Sequence, residues 1–280
     1  MTAKPQSYTS YSDGKTELVE SVLLEVWASL GEFHKDMVLV GGLAPRYLVR
    51  FSPGDRNIPP HCGTMDVDFG LSLAIADKKT YGGIRDVIVD RLGFRPGTNL
   101  RGRGQRHSFV KTITGVDVNI DFLTAVYGGP KDSRMREIED EISAIQVRGL
   151  GLALLDPLRI GVAGKMLSGE LVTETVNVCR PIPYIVLKSL SFADRKEPKD
   201  AYDLVYILDN FDDGPTKLAK TVRRQEMKSE FWNEAIECLR KNFESPDHSG
   251  PFRYASFMND NTKAAQAFAT VQGFLKGLGK

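Results

Sequence analysis

No apolar run in these 280 residues is long enough to span a bilayer. The N-terminal stretch MTAKPQSYTSYSDGK is polar and has no apolar h-region, so no signal peptide is expected. Cysteine is scarce. Cys62, Cys179 and Cys238 are odd in number, far apart and outside any CxxC spacing, which excludes a disulfide framework and points to free thiols in a reducing compartment. Histidine is scarcer relative to what metal chemistry needs. His34, His61, His107 and His248 form no HxxxH or HExxH pattern, so a zinc site is not expected. Net charge is also lacking, at +1, so any nucleic-acid contact must come from a local patch. Repeats and low-complexity tracts are absent. A cytoplasmic protein with no membrane contact is the expectation.

The remaining composition is ordinary: 41% hydrophobic and 26% charged, enough for one large or two smaller domains. Residues 16–35 carry apolar side chains at helical spacing, with Thr16 placed as N-cap. Val38-Leu39-Val40-Gly41-Gly42 reads as a strand running into a tight turn, and LAPRYLVRF as a helix after it. A Pro/Gly-rich loop, SPGDRNIPPHCG, delivers the chain to TMDVDFGL, a strand. KKTYGGIRDVIVDRLGF predicts a helix. RHSFVKTIT and VDVNIDFLT predict two strands joined at Gly115. MREIEDEISAIQVRG predicts a short helix or connection and then a strand, with Glu137–Glu141 as a solvated helix face. LRIGVAGKM and LVTETVNVC predict a hairpin. After Pro183 the pattern becomes helical to the end. The expected class is α+β, with a mixed-sheet domain over 1–180 and a helical domain over 181–280.

The chemistry sits on the second strand. Side chains alternate between strand faces, so Asp66 and Asp68 point together while Met65, Val67, Phe69 and Leu71 share the other face. At i and i+2, about 7 Å apart along the strand axis, both reach one hard cation, which removes their mutual repulsion. In Val116–Phe122, Asp117, Asn119 and Asp121 share a face, and Asp121 or Asp117 would complete a three-carboxylate cluster. A strand with one wet face gives the same alternation. Asp117 and Asn119 are assigned to that face. Gly41 and Gly42 let backbone amides approach a phosphate, and the helix after them favours an anion.

The order Gly41, Gly42, then Asp66 and Asp68, then Asp121 resembles the polymerase-β-like nucleotidyltransferase superfamily. Downstream, LKSLSFADR over 187–195 and KDAYDL over 199–204 look like the K…A…R…KD…DL signature of AbiEii-type nucleotidyltransferases, the toxins of type IV toxin–antitoxin systems. The resemblance covers roughly residues 36–210. It departs from the superfamily pattern in a long gap from Gly42 to Asp66 and in Gly42 where many members have serine. It implies a polymerase-β-like sheet with flanking helices. Asp66, Asp68 and Asp121 would hold Mg2+ or Mn2+, and Asp121 would orient or deprotonate the acceptor hydroxyl. Gly41 and Gly42 would line the triphosphate of an NTP. Lys188 would reach its phosphates, a role for which Lys165 is a rival, and Arg195 would join Lys188 or brace Asp200 or Asp203. One of those two acids would be functional and the other structural. The implied reaction moves NMP to a hydroxyl, in the family the tRNA 3′ end, with growth arrest relieved by an antitoxin protein. Transfer to a small molecule or a protein side chain, and a non-catalytic nucleotide- or RNA-binding module, are the alternatives. Arg101, Arg103 and Arg106 form a cationic stretch that suits RNA phosphates, or a solvated turn.

Overall fold

The computed structural model describes residues 7–11, 13–51, 58–72, 82–98, 104–126, 135–139 and 142–279. Contacts group the chain into two units: Ser12–Ala44 with Gly63–Cys179, and Pro45–Cys62 with Arg180–Lys280 and the turn at Tyr8–Ser10. Both the mixed sheet and the helical second half expected from the sequence are present, so the chain is α+β. Among the described residues no helix is long and apolar enough to cross a membrane.

The first unit is a nine-stranded sheet. Its strands are β1 (Met37–Val40), β2 (Asp66–Leu71), β3 (Arg95–Thr98), β4 (Gly104–Ile113), β5 (Val116–Ala125), β6 (Met135–Glu139), β7 (Ile142–Val147), β8 (Leu158–Lys165) and β9 (Leu171–Val178). Seven lie in the order β3-β4-β5-β2-β1-β9-β8, and the β6–β7 hairpin joins through β7 alongside the end of β5. β1 runs antiparallel to β2, and β2 runs parallel to β5. All four residues of β1 are buried, which is why MVLV shows no alternation.

Helix α1 (Asp13–Ser29) lies on the apolar face of the sheet. Its Trp27 ring sits 6.0 Å from Phe69, and its indole N–H donates to Thr175 O at 3.1 Å. Phe69, Phe122 and Phe109 continue this layer across β2, β5 and β4. On the opposite face, Leu150 of α4 (Leu150–Leu154) comes against Gly70 of β2. Between these two helices in sequence come α2 (Ala44–Phe51), whose residues from Pro45 on fall in the second unit, and α3 (Gly82–Arg85), which continues as a π-helix over Asp86–Arg91.

Three local expectations need correction. Thr16 is not an N-cap: α1 begins at Asp13, and Thr16 is buried inside its first turns. Glu137–Glu139 belongs to β6, whose backbone pairs antiparallel with β7, Arg136 with Ala144 and Glu137 with Ser143; the remainder of the acidic run, 140–141, lies outside the described residues. Strand β4 starts at Gly104, two residues ahead of the strand expected from Arg106, so Gly104 and Gln105 of the cationic stretch are strand residues rather than turn.

The second unit is helical: α5 (Pro181–Arg195), α6 (Pro198–Asn210), α7 (Pro215–Ala219), α8 (Arg224–Met227), α9 (Glu230–Asn242), α10 (Ser249–Met258) and α11 (Lys263–Gly277). Three of them open on proline at the first position, where the missing N–H is not needed. For the same reason α5 accommodates Pro183 in its first turn and starts two residues before it. The three cysteines are free thiols.

Candidate functional site

Strand register decides what the aspartates face. Val40 pairs with Asp68, Asp68 with Asp121, and Asp121 with Ser108, which makes one row across four strands. Adjacent strands lie about 4.8 Å apart, so Asp68 and Asp121 stand side by side on the same face. Asp66 pairs in register with Asn119, and Asn119 Nδ2 donates to Asp66 Oδ1 at 2.9 Å. Asn119 therefore holds Asp66 and is more than a wet-face residue. The only signal for it in the sequence was its place between Asp117 and Asp121. Asp117 does lie on the wet side, half-buried, with Thr112 Oγ1 donating to its Oδ1 at 2.6 Å.

Gly41 closes the near end of the row. Its φ is +67°, and a Cβ there would fall 1.8 Å from Asp68 Oδ2. The turn thus requires glycine twice: for a left-handed backbone and for room beneath the Asp68 carboxylate. Gly41→Ala is expected to cost about 1–2 kcal/mol for the left-handed conformation alone, read as a lowered thermal midpoint, and to displace Asp68. An unchanged midpoint would contradict this.

Carboxylates of Asp66, Asp68 and Asp121 are hard oxygen donors of the kind Mg2+ and Mn2+ take. Among the described residues no three His, Cys, Asp or Glu side chains are gathered into a metal-binding group. The side-by-side pair Asp68 and Asp121, on neighbouring parallel strands, is the part of the expected cluster that register brings together. The residue types fit such a cation.

Within the second unit the downstream motif forms a buried charge network. Lys188 Nζ lies 2.6 Å from Asp203 Oδ2 and 3.1 Å from Asp200 Oδ1. Lys199 Nζ donates to Asp203 Oδ1 at 2.8 Å, one helical turn away on α6. Arg195 braces Asp200 with two bonds, Nε to Oδ2 at 2.6 Å and Nη2 to Oδ1 at 2.8 Å. Asp200 and Asp203 are 1% and 0% exposed, so both acids anchor cations. Burial alone would raise their carboxyls; Lys188 and the other cations reverse that and hold Asp203 well below the usual carboxylate range, with Asp200 also lowered. Burial alone would lower Lys188 and Lys199, and the carboxylates raise both instead.

His61, passed over for lack of a zinc spacing, belongs to this network. Its Nε2 lies 2.9 Å from Asp203 Oδ1, and since the ionised carboxylate only accepts, Nε2 carries the proton. Arg46 Nη1 donates to His61 O, the Cys62 N–H donates to the Tyr202 hydroxyl, and the Tyr206 hydroxyl donates to Pro59 O. The segment Pro59–Cys62 is thereby fastened along α6. Burial pushes the Cys62 thiol up to about 11 and the Tyr202 phenol far up, so neither ionises near neutrality.

Burial also lowers His61 to about 4, against a partial opposing pull from Asp203. An unfolded histidine takes up its proton near 6.5, so between pH 6.5 and 4 the unfolded chain binds a proton that the folded one refuses. Stability is expected to fall by about 3 kcal/mol as pH drops through that window. The lowered carboxyls act in the same sense further down: their contribution is present above the unfolded value of 3.8 and is lost as pH falls through the folded one. The raised lysines stabilise below 10.5 and lose that contribution as pH rises through their folded values. Urea unfolding across the acid range checks this; a flat profile from pH 6.5 to 4 would contradict it.

Of the arginines expected to meet RNA, Arg106 is exposed on β4, while Arg101 and Arg103 lie outside the described residues. Burial lowers the His107 imidazole next to Arg106.

No protein-family model and no curated protein sequence matches the chain. Solved structures similar to it include the following three. An antigenic nucleotidyltransferase-like protein from Paracoccidioides brasiliensis is 17% identical, with 84% of this chain and 91% of that one covered and a TM-score of 0.44. The antibiotic-resistance factor ANT(2'')-Ia is 11% identical over 94% of this chain and 96% of its own, with a TM-score of 0.32. The E. coli MS115-1 CdnC:HORMA-deltaN complex contributes a chain 11% identical, covering 95% and 91%, with a TM-score of 0.25.

Proposed function

We propose that the chain is a magnesium-dependent nucleotidyltransferase that moves NMP from an NTP to a hydroxyl acceptor. The observation that carries this reading is the row Val40–Asp68–Asp121, with the left-handed Gly41 turn under the Asp68 carboxylate. It puts a glycine turn suited to phosphates directly beside two carboxylates suited to a cation. Gly41 and Gly42 would offer backbone to the triphosphate. Asp68 and Asp121, with Asp66 steadied by Asn119, would hold the divalent ion. That ion, when bound, supplies charge neutralisation of the phosphates and a lowered pKa at the attacking hydroxyl.

In the transfer the acceptor oxygen forms a bond to the α-phosphorus. The bond from that phosphorus to the bridging oxygen breaks, and pyrophosphate leaves with the electron pair. Asp121 orients the hydroxyl and takes its proton. Lys188 and Arg195 are proposed for the phosphates, as the resemblance implies. Their partnership with Asp200 and Asp203 also supports a role in holding α5 and α6 together.

The acceptor we propose is RNA, at the 3′ end of tRNA, with growth inhibition as the cellular effect and an antitoxin protein as partner; this rests on the AbiEii-like segment 187–204. Incubating the protein with magnesium, each labelled NTP and bulk tRNA tests it. Label on RNA is the expected result. Label on a protein or metabolite instead would shift the acceptor class, and no transfer from any NTP by folded protein would overturn the reading.

A further inference from the structure

The far edge of the sheet is bare. Strand β8 ends the row of strands, and among the described residues β9 is its only strand partner. The two pair over eight residues without a bulge, from Leu158 with Val178 to Lys165 with Leu171. β9 in turn pairs with β1 at one place, Leu39 with Val178. Most of the β8–β9 hairpin is thus a two-stranded ribbon backed by α1, whose Leu24 is pressed against β8: a Cβ on Gly164 would fall 2.8 Å from Leu24 Cδ1. Two strands alone are marginal, and an edge of unpaired N–H and C=O groups is a template for a further strand. Natural edges are blunted by proline, bulges or charges along the strand. In β8 the charges, Arg159 and Lys165, stand near the ends, and the exposed positions between them are Gly161 and Ala163.

The strand also says which partner fits it. A second copy can add its own β8 antiparallel, about a two-fold axis normal to the sheet. Residues directly opposite one another share a face, so the axis must pass through a residue if the α1 side is to continue from one copy into the next. Centred on Gly161, the pairing runs over residues 158–164 and sets Ile160 opposite Val162, both buried on the face that Gly164 shares. Arg159 then lies opposite Ala163, and Gly161 opposite its own copy. Centred on Val162, Arg159 would oppose Lys165, a destabilising like-charge pair. Charge thus selects the Gly161 register. Around Gly161 nothing lies within 4 Å of where a Cβ would stand, so the crossing point is open. Two hairpins become one four-stranded sheet, and main-chain hydrogen bonds supply the attraction.

We propose that two copies of this chain join through β8, antiparallel, with Gly161 on the two-fold axis. Light scattering on the full chain is expected to give twice 31.1 kDa. Gly161→Lys is expected to give the single-chain mass, because two ammonium groups would meet at the axis. Its far-UV circular dichroism is expected to match the wild type, since the added side chain meets no neighbour at its Cβ. Gly161→Cys sets two thiols on facing strands with Cα atoms about 4.5–5.5 Å apart, within disulfide reach, and is expected to cross-link under a mild oxidant. Ala163→Cys sets its thiols four residues out of step, about 13 Å apart, and is expected not to. The wild type, with Cys179 and Cys238 buried, supplies the background for both. A single-chain mass for the wild type would overturn the proposal, and is the result if the edge takes its strand from a different protein. A dimer that survives Gly161→Lys, or one that cross-links through Ala163→Cys and not through Gly161→Cys, would overturn it as well.

Discussion

Asp68→Asn is expected to lower nucleotidyl transfer by at least about 1,000-fold with little change in thermal stability. The magnitude follows from what the carboxylate does in the proposed reaction: it neutralises charge at the phosphates through a cation, an electrostatic contribution of several kcal/mol, and each 1.4 kcal/mol is a factor of ten. The amide keeps the shape, so the Gly41 turn under it is undisturbed. Asp121→Asn, its register partner, is expected to fall by a similar factor. The two losses should not add in the double variant, because the pair acts as a unit. Initial rates of label transfer with matched melting curves read this out. A Asp68→Asn protein retaining a tenth or more of the activity would remove the acid row from the mechanism.

Asp203→Asn is expected to destabilise the helical unit by about 3–5 kcal/mol, the usual consequence of removing one partner from a buried ion pair. Lys188 and Lys199 would be left charged and buried, and His61 would lose its anionic acceptor. The corresponding drop in midpoint is on the order of 10 °C. Arg195→Met is the contrasting case. Its side chain is 56% exposed, so solvent screens its bridge to Asp200 and the expected loss is below about 1 kcal/mol. Circular dichroism melts of both variants check the difference. Equal effects would mean that the network is less desolvated than its burial indicates.

These two results separate roles that the sequence motif leaves joined. KSLSFADR and KDAYDL resemble a functional signature, yet in the folded chain their charges chiefly face one another across α5 and α6. Helical spacing puts Lys199 and Asp203 one turn apart, so that bond was legible from the letters. Whether Arg195 braced Asp200 or Asp203 was not, because the αL residue Lys196 redirects the chain between the helices.

By itself the sequence determined what is local. The two-residue period of β2 and β5 puts Asp66 with Asp68, and Asn119 with Asp121, because strand side chains alternate whatever the strand pairs with. Adjacent Gly41 and Gly42 after a buried apolar run announced a backbone that side chains would obstruct. Pro215 marked a helix start through its missing N–H. Only the tertiary structure decided which strands are neighbours, and in what register. That choice depends on burying Phe69, Phe122 and Phe109 together, a property of the whole sheet. From it follow Asp68 beside Asp121 and Asn119 on Asp66. The bond from His61 to Asp203 spans 142 positions, a separation over which no spacing rule operates.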